Sequence, residues 1–158
     1  MENQPSAAFI VLQTPQKSPM KKEHGHRLSL KNMQKIDANV ILRYILNDHA
    51  ELSPKAKEII EQHTVEVPIE VLCEVIYVLT GHYKIDRQNV STELKRFFDL
   101  TQCTLSHREA VLQGLAYFGN NNSDFVDCVL AGYARIEKDD ILTFDEKLKK
   151  LIEKNKRD

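Results

Sequence analysis

Hydrophobic and polar positions change rhythm several times along the chain, and the changes mark alternating elements. Short apolar or alternating runs at Met33–Ile36, Val65–Val67, Cys103–Leu105 and Ile141–Phe144 have the length and residue types of strands. Between them lie longer stretches with apolar residues three and four apart, which predict helices. The first covers Val40–Leu46. The second starts at Ser53-Pro54, an N-cap followed by proline at the first helical position, and runs to about His63. A third runs from Ile69 to Thr80, with Gly81 as its expected stop. Asp86 caps a helix reaching Leu100, and Arg108–Phe118 forms the next. After the loop Gly119–Asn122, Ser123 or Asp124 caps a helix to Glu137, and a charged helix begins at Glu146. Strands alternating with helices imply an α/β domain, a mostly parallel sheet with helices on both faces. No internal repeat is visible.

Residues 1–32 follow neither rhythm. They are rich in Gln, Pro, Ser, Lys and His, and their one apolar run, Ala7–Leu12, is too short and wrongly flanked for a signal peptide. They read as a flexible appendage, or Met33 is the true start, and the domain is expected over residues 33–158. His24 and His26 read as solvated tail residues.

Composition narrows the class. Of the 158 residues, 42% are hydrophobic, enough for a packed core. Lys and Arg number 22 against 23 Asp and Glu, so no global positive field points to nucleic acid. The three cysteines at 73, 103 and 128 form no CxxC pair, which argues against a disulfide scaffold or thiolate zinc site and fits a reducing, cytoplasmic compartment. No apolar run approaches the roughly 20 residues that span a bilayer.

The informative chemistry is four acids set in or against apolar runs. Asp37 follows the first strand in Ile36-Asp37-Ala38-Asn39-Val40-Ile41, and Glu74 interrupts Val71–Leu79. Asp127 interrupts Phe125–Ala131, and Asp145 ends Ile141-Leu142-Thr143-Phe144-Asp145. An unpaired buried carboxylate costs several kcal/mol, and only Arg43 and Arg135 lie near enough in sequence to compensate. A divalent cation is the economical partner. In open parallel sheets, ligands gather at the carboxyl ends of the strands, where Asp37 and Asp145 lie. An oxygen-only set suits Mg²⁺ or Mn²⁺, and no neighbouring His favours zinc. Each acid also has a bland reading. Asp37 and Asp145 can simply cap helices, and Glu74 and Asp127 can occupy an exposed strip. Asp124 is read as the cap and Asp127 as the ligand, and Glu70 as ordinary placement in a first helical turn.

Taken together, Ile36–Arg43, Pro68–Val75, Asp124–Ala134 and Thr143-Phe144-Asp145 resemble the PIN-domain nucleases, and most closely the VapC-type toxins of toxin–antitoxin pairs. The resemblance covers about Met33 to Lys150. It implies a three-layer α/β/α sandwich with four to five short strands. It implies a metal-dependent endoribonuclease, with Asp37, Glu74, Asp127 and Asp145 holding Mg²⁺ or Mn²⁺ and product ends bearing 5′-phosphate and 3′-hydroxyl. Asn39 would orient Asp37, and Thr143 would place a metal water or a phosphate. Basic candidates for RNA are Lys35, Arg43 and Lys147, with Arg87, Lys95, Arg96, Arg108, Lys149 and Lys150 behind them. The resemblance further implies a homodimer blocked by a protein antitoxin. A PIN nuclease that processes RNA without being a toxin, and a silent PIN fold used for binding, are the rival readings. A haloacid-dehalogenase-like phosphatase is discounted because Asn39 stands where that family has its second Asp.

Overall fold

Residues 33–156 are described by a computed structural model. The appendage expected at residues 1–32, with His24 and His26, lies outside the described residues.

Three strands, β1 (Gln34–Lys35), β2 (Val65–Glu66) and β3 (Cys103–Thr104), form a parallel sheet in the order β1-β2-β3. Parallel neighbours need a crossover, and here each is made of two helices. α1 (Ala38–Leu46) and α2 (Leu52–Gln62) join β1 to β2. α3 (Ile69–Tyr77), a π-helical turn (Val78–His82) and α4 (Arg87–Leu100) join β2 to β3. After β3 come α5 (Arg108–Asn120), α6 (Phe125–Ile136) and α7 (Glu146–Lys156). The α/β class with a parallel sheet is the one the sequence pattern implies.

The register aligns Lys35 with Glu66 and Glu66 with Thr104. Strand alternation then separates two faces. Ile36, Val65, Val67, Cys103 and Leu105 are buried in the core. Lys35, Glu66 and Thr104 point the other way and stay partly or fully exposed. Amide bonds beyond the strand ends, Ile36 N–H to Glu66 O at 3.3 Å and Val67 N–H to Thr104 O at 2.9 Å, extend the ladder by one residue.

The helices follow their caps and stripes. Asp37 Oδ1 accepts the Val40 amide at 3.1 Å and starts α1, whose buried face is Ala38, Ile41, Leu42 and Ile45. Asp86 Oδ1 does the same for α4 through the Asn89 amide at 3.0 Å. α2 begins two residues earlier than its Ser-Pro signal, at Leu52, and Ser53 is not its cap: it turns inward, is buried, and accepts the His49 amide at 3.2 Å. Gly81 does not stop α3. The chain widens into the π-helical turn, with Tyr83 N–H bonded to Val78 O, and continues to His82.

α5 and α6 pack as an antiparallel pair at very close range. A Cβ on Gly132 would collide with the Ala110 carbonyl oxygen, and one on Gly114 would come within 2.9 Å of the Val129 Cα. Both glycines are buried, and glycine is what lets the two backbones approach this closely.

The expected fourth strand does not form among the described residues. Ile141–Phe144 runs irregularly between α6 and α7, with Leu142 91% and Phe144 102% exposed. A strand is held by backbone pairing and by covering its apolar side chains, and Leu142 and Phe144 are left uncovered.

Candidate functional site

The four acids stand on a connected set of elements. Asp37 caps α1, Glu74 lies on α3, Asp127 lies in the first turn of α6, and Asp145 precedes α7. α3 packs against both α1 and α6, and α7 packs against α6.

Asp127 and Asp145 lie within electrostatic reach of each other. The Asp127 carboxyl is pushed above its ordinary range, first by partial burial, then by the negative charges of Asp145 and Asp124. No hydrogen bond or ion pair within the described residues satisfies it. Asp145 uses Oδ1 for the amides of Lys147 at 2.7 Å and Leu148 at 3.2 Å, so it caps α7 and leaves Oδ2 without a partner among the described residues. Asp37 likewise spends Oδ1 on its cap bond and keeps Oδ2. The capping and ligand readings of these two residues are therefore compatible.

Glu74 is placed differently from the sequence reading. The apolar run around it suggests little exposed strip, yet Glu74 is exposed. Leu72, Val75, Ile76 and Leu79 carry the buried stripe of α3 and its continuation, which leaves Glu70, Glu74 and Tyr77 in a row on the outside. Glu74 has no partner among the described residues. Asp124 occupies the N-cap position of α6 as expected, but its side chain makes no capping bond; its carbonyl accepts the Cys128 amide at 3.0 Å. Asn39 is exposed. Thr143 Oγ1 accepts the Asp145 amide at 3.0 Å, which gives it a local turn role.

The basic candidates divide by what they already hold. Arg43 is committed to Asp48 at 2.7 Å and reaches Tyr83 Oη, so it braces the end of α1. Arg87 donates to the carbonyls of Phe118 and Ser123 and stacks on the Phe118 ring at 3.8 Å. Arg108 pairs with Asp99 at 3.1 Å, Arg96 with Glu93 at 3.9 Å, and Lys149 with Glu146 at 2.6 Å. Lys35 donates to Glu66 at 2.5 Å. The Lys147 side chain is exposed and holds no acid among the described residues.

One group escaped the sequence reading. Glu66 accepts from Lys35 and, at 3.1 Å, from Ser106 Oγ, and these bonds hold its carboxyl below the ordinary range. Next to it, His107 Nδ1 lies 2.7 Å from Glu137 Oε1, and its ring meets Tyr133 edge to face at 5.3 Å. The signal available in the sequence was the polar middle of Val65-Glu66-Val67, which places Glu66 opposite the core.

The oxygen-only donor set matches a hard divalent cation in kind. Among the described residues, no three His, Cys, Asp or Glu side chains stand close enough to hold one metal ion directly. No helix is long and apolar enough to cross a membrane among those residues.

A parallel-sheet domain with acids on its strand and helix ends falls in the broad class of α/β ligand-binding and hydrolytic folds. Comparison with known families narrows it: the PIN domain model matches residues 36–154, and the chain belongs to the PIN-domain family. PIN domains are generally Mg²⁺- or Mn²⁺-dependent nucleases. No curated protein and no solved structure matches the chain.

Proposed function

We propose that the protein is a Mg²⁺- or Mn²⁺-dependent endoribonuclease acting as the toxin of a toxin–antitoxin pair. The observation that carries the nuclease reading is Asp127, a half-exposed carboxyl on α6 pressed by the charges of Asp145 and Asp124, with no cation paired to it among the described residues. Asp37, Glu74, Asp127 and Asp145 would hold the metal. Since no three of them converge directly, one or two carboxylates would contact each ion and water would complete the shell, the mode Mg²⁺ favours. When bound, the ion lowers the pKa of a water and offsets charge on the phosphoryl transition state.

The chain's own residues do the positioning. Val40 N–H fixes the Asp37 carboxylate through Oδ1 and leaves Oδ2 without a hydrogen bond among the described residues. The amides of Lys147 and Leu148 do the same for Asp145. Lys147 and Lys150, both exposed and without an acidic partner among the described residues, are basic side chains available to an RNA phosphate. The toxin, dimer and antitoxin parts rest on the family resemblance. The outward Tyr77, Val126, Leu142 and Phe144, all largely exposed apolar side chains, support a protein partner.

The test uses Asp37→Asn, which keeps a good helix cap while removing the charge. Wild-type protein is expected to cut RNA with Mn²⁺ and to arrest growth when expressed, and Asp37→Asn to lose both by about a thousand-fold in rate. Mn²⁺ is expected to raise the melting temperature of wild type more than that of Glu74→Gln. A wild type that cuts no RNA with either metal defeats the nuclease reading. Cleavage without growth arrest leaves an RNA-processing PIN nuclease instead of a toxin.

A further inference from the structure

One cavity has no part in that scheme. It lies at the carboxyl ends of β2 and β3, has a volume of about 290 Å³, and is walled by Lys35, Glu66, Glu70, Ser106, His107 and Tyr133. The geometry points to a nucleobase-binding subsite, selective for guanine, formed by the Tyr133–His107 corner and the carboxylates of Glu66 and Glu70. It rests on the ribonuclease reading and gives that activity a base preference.

The walls decide the ligand. Tyr133 and His107 meet at an interplanar angle of 80°, so they form two sides of a corner. A flat heterocycle can stack on one ring and meet the other with its edge, the way single-stranded RNA bases are commonly held. A phosphate fits poorly. Lys35, the nearest cation, is already spent on Glu66 at 2.5 Å, and His107 is turned toward Glu137 at 2.7 Å. Two carboxylates face the space, and they would repel an anion.

Those carboxylates also choose among bases. Ionised Glu is acceptor-only, so it selects a ligand edge rich in donors. Guanine offers its ring N–H beside its amino group, two adjacent donors for one carboxylate. Adenine and cytosine offer an amino group with an acceptor next to it, and uracil a single N–H between two carbonyls. Glu66 is held in place by Lys35 and Ser106, so its acceptor oxygens are oriented before a base arrives.

The position suits a nucleotide near the scissile phosphate. Glu70 precedes Glu74 by one turn of α3, about 6 Å, and Tyr133 follows Asp127 by six residues of α6, about 9 Å. That is two to three stacked nucleotides. Lys35 stands two residues before Asp37, with Lys35 and Asp37 exposed and Ile36 between them buried, tying the cavity wall to the first acid.

The test separates the pocket from the chemistry. Metal-free Asp37→Asn protein is titrated with GMP, AMP, CMP and UMP while the Tyr133 and His107 ring signals are followed by NMR. GMP is expected to bind at least about tenfold more tightly than the other three, one good base contact's worth. Tyr133→Ala should abolish the GMP response, Tyr133→Phe should retain it, and Glu66→Gln should level the four nucleotides. Tyr133→Phe guards against misfolding, and His107→Gly offers a second probe because His107 has φ 53°, where glycine is at ease. In parallel, wild type is allowed to cut a random RNA pool. Guanine should be enriched at one fixed position, and His107→Gly should flatten that enrichment. Equal binding of all four nucleotides, no binding of any, or cleavage without a guanine position each overturns the subsite. If the wild type cuts nothing with Mg²⁺ or Mn²⁺ yet GMP still binds selectively, the nuclease reading falls and the pocket stands.

Discussion

The two faces of the three-stranded sheet have been put to different uses. One carries Ile36, Val65, Val67, Cys103 and Leu105, all buried. The other carries Lys35 and Glu66 in an ion pair, with Ser106 completing the network just past β3. The strands are only two residues long, so neighbouring residues of one strand serve opposite purposes. The packed core and the polar network are separated by a side-chain rotation of half a turn, and they should respond separately to mutation.

The largest expected effect is on the buried face. Val67→Asp puts an unpaired charge in the core, a loss of about 4 kcal/mol or more. Against a typical total of about 5–15 kcal/mol, that removes a large share of the stability, which a fall in the urea midpoint followed by circular dichroism would show. A Val67→Asp protein as stable as wild type would erase the distinction between the faces. Next comes the α5–α6 contact. Gly132→Ala forces two backbones apart and should cost about 1–3 kcal/mol, read as a lower denaturation midpoint with an unchanged slope. A smaller signal comes from thiol labelling. Burial pushes the Cys103 and Cys128 thiols up to about 11, and Cys103 belongs to the buried face. Iodoacetamide at neutral pH should therefore modify half-buried Cys73 first and the other two only on unfolding.

The smallest effect belongs to the polar face. Glu66 has its carboxyl held below the ordinary value of 4.5, first by its hydrogen bond from Lys35 and then by that from Ser106. In that window the unfolded chain binds the proton that the folded chain refuses, so stability rises with pH. The contribution is complete above the ordinary carboxylate range and fades as pH falls through it. Glu66→Gln should flatten this part of the stability–pH curve slightly and leave neutral-pH folding nearly intact. A large drop at neutral pH would show that the two faces are not independent.

These contrasts explain what could be read from the chain. Period-two alternation around Val65 and Cys103 and the caps at Asp37 and Asp86 are local signals, and the structure follows them. Ile141–Phe144 carries the same strand-like composition, but whether a strand forms depends on a neighbour to pair with and a surface to cover it, which no window of sequence contains. Glu74 shows a related limit. Its flanks are apolar, but the stripe Leu72, Val75, Ile76 and Leu79 is enough to face the core, and the remaining side of α3 is left to water. The approach of Asp127 to Asp145 joins the start of α6 to the segment after its end, so spacing could suggest it and only packing could place it. The meeting of His107 with Tyr133 and Glu137 had no sequence signal, since it arises where α5 and α6 run side by side in opposite directions.

The glycine contacts between those two helices carry one more implication. Gly114 and Gly132 let main chain rest on main chain, so the spacing of the hairpin is set without reliance on any outward side chain. Asp127 at one end of α6 and Tyr133 near the other thus ride on a single stiff rod. Under the proposed base subsite, replacing residues on the outer surface of that rod would alter what the protein grips while leaving Asp127 in place, which makes this hairpin a good chassis for re-targeting.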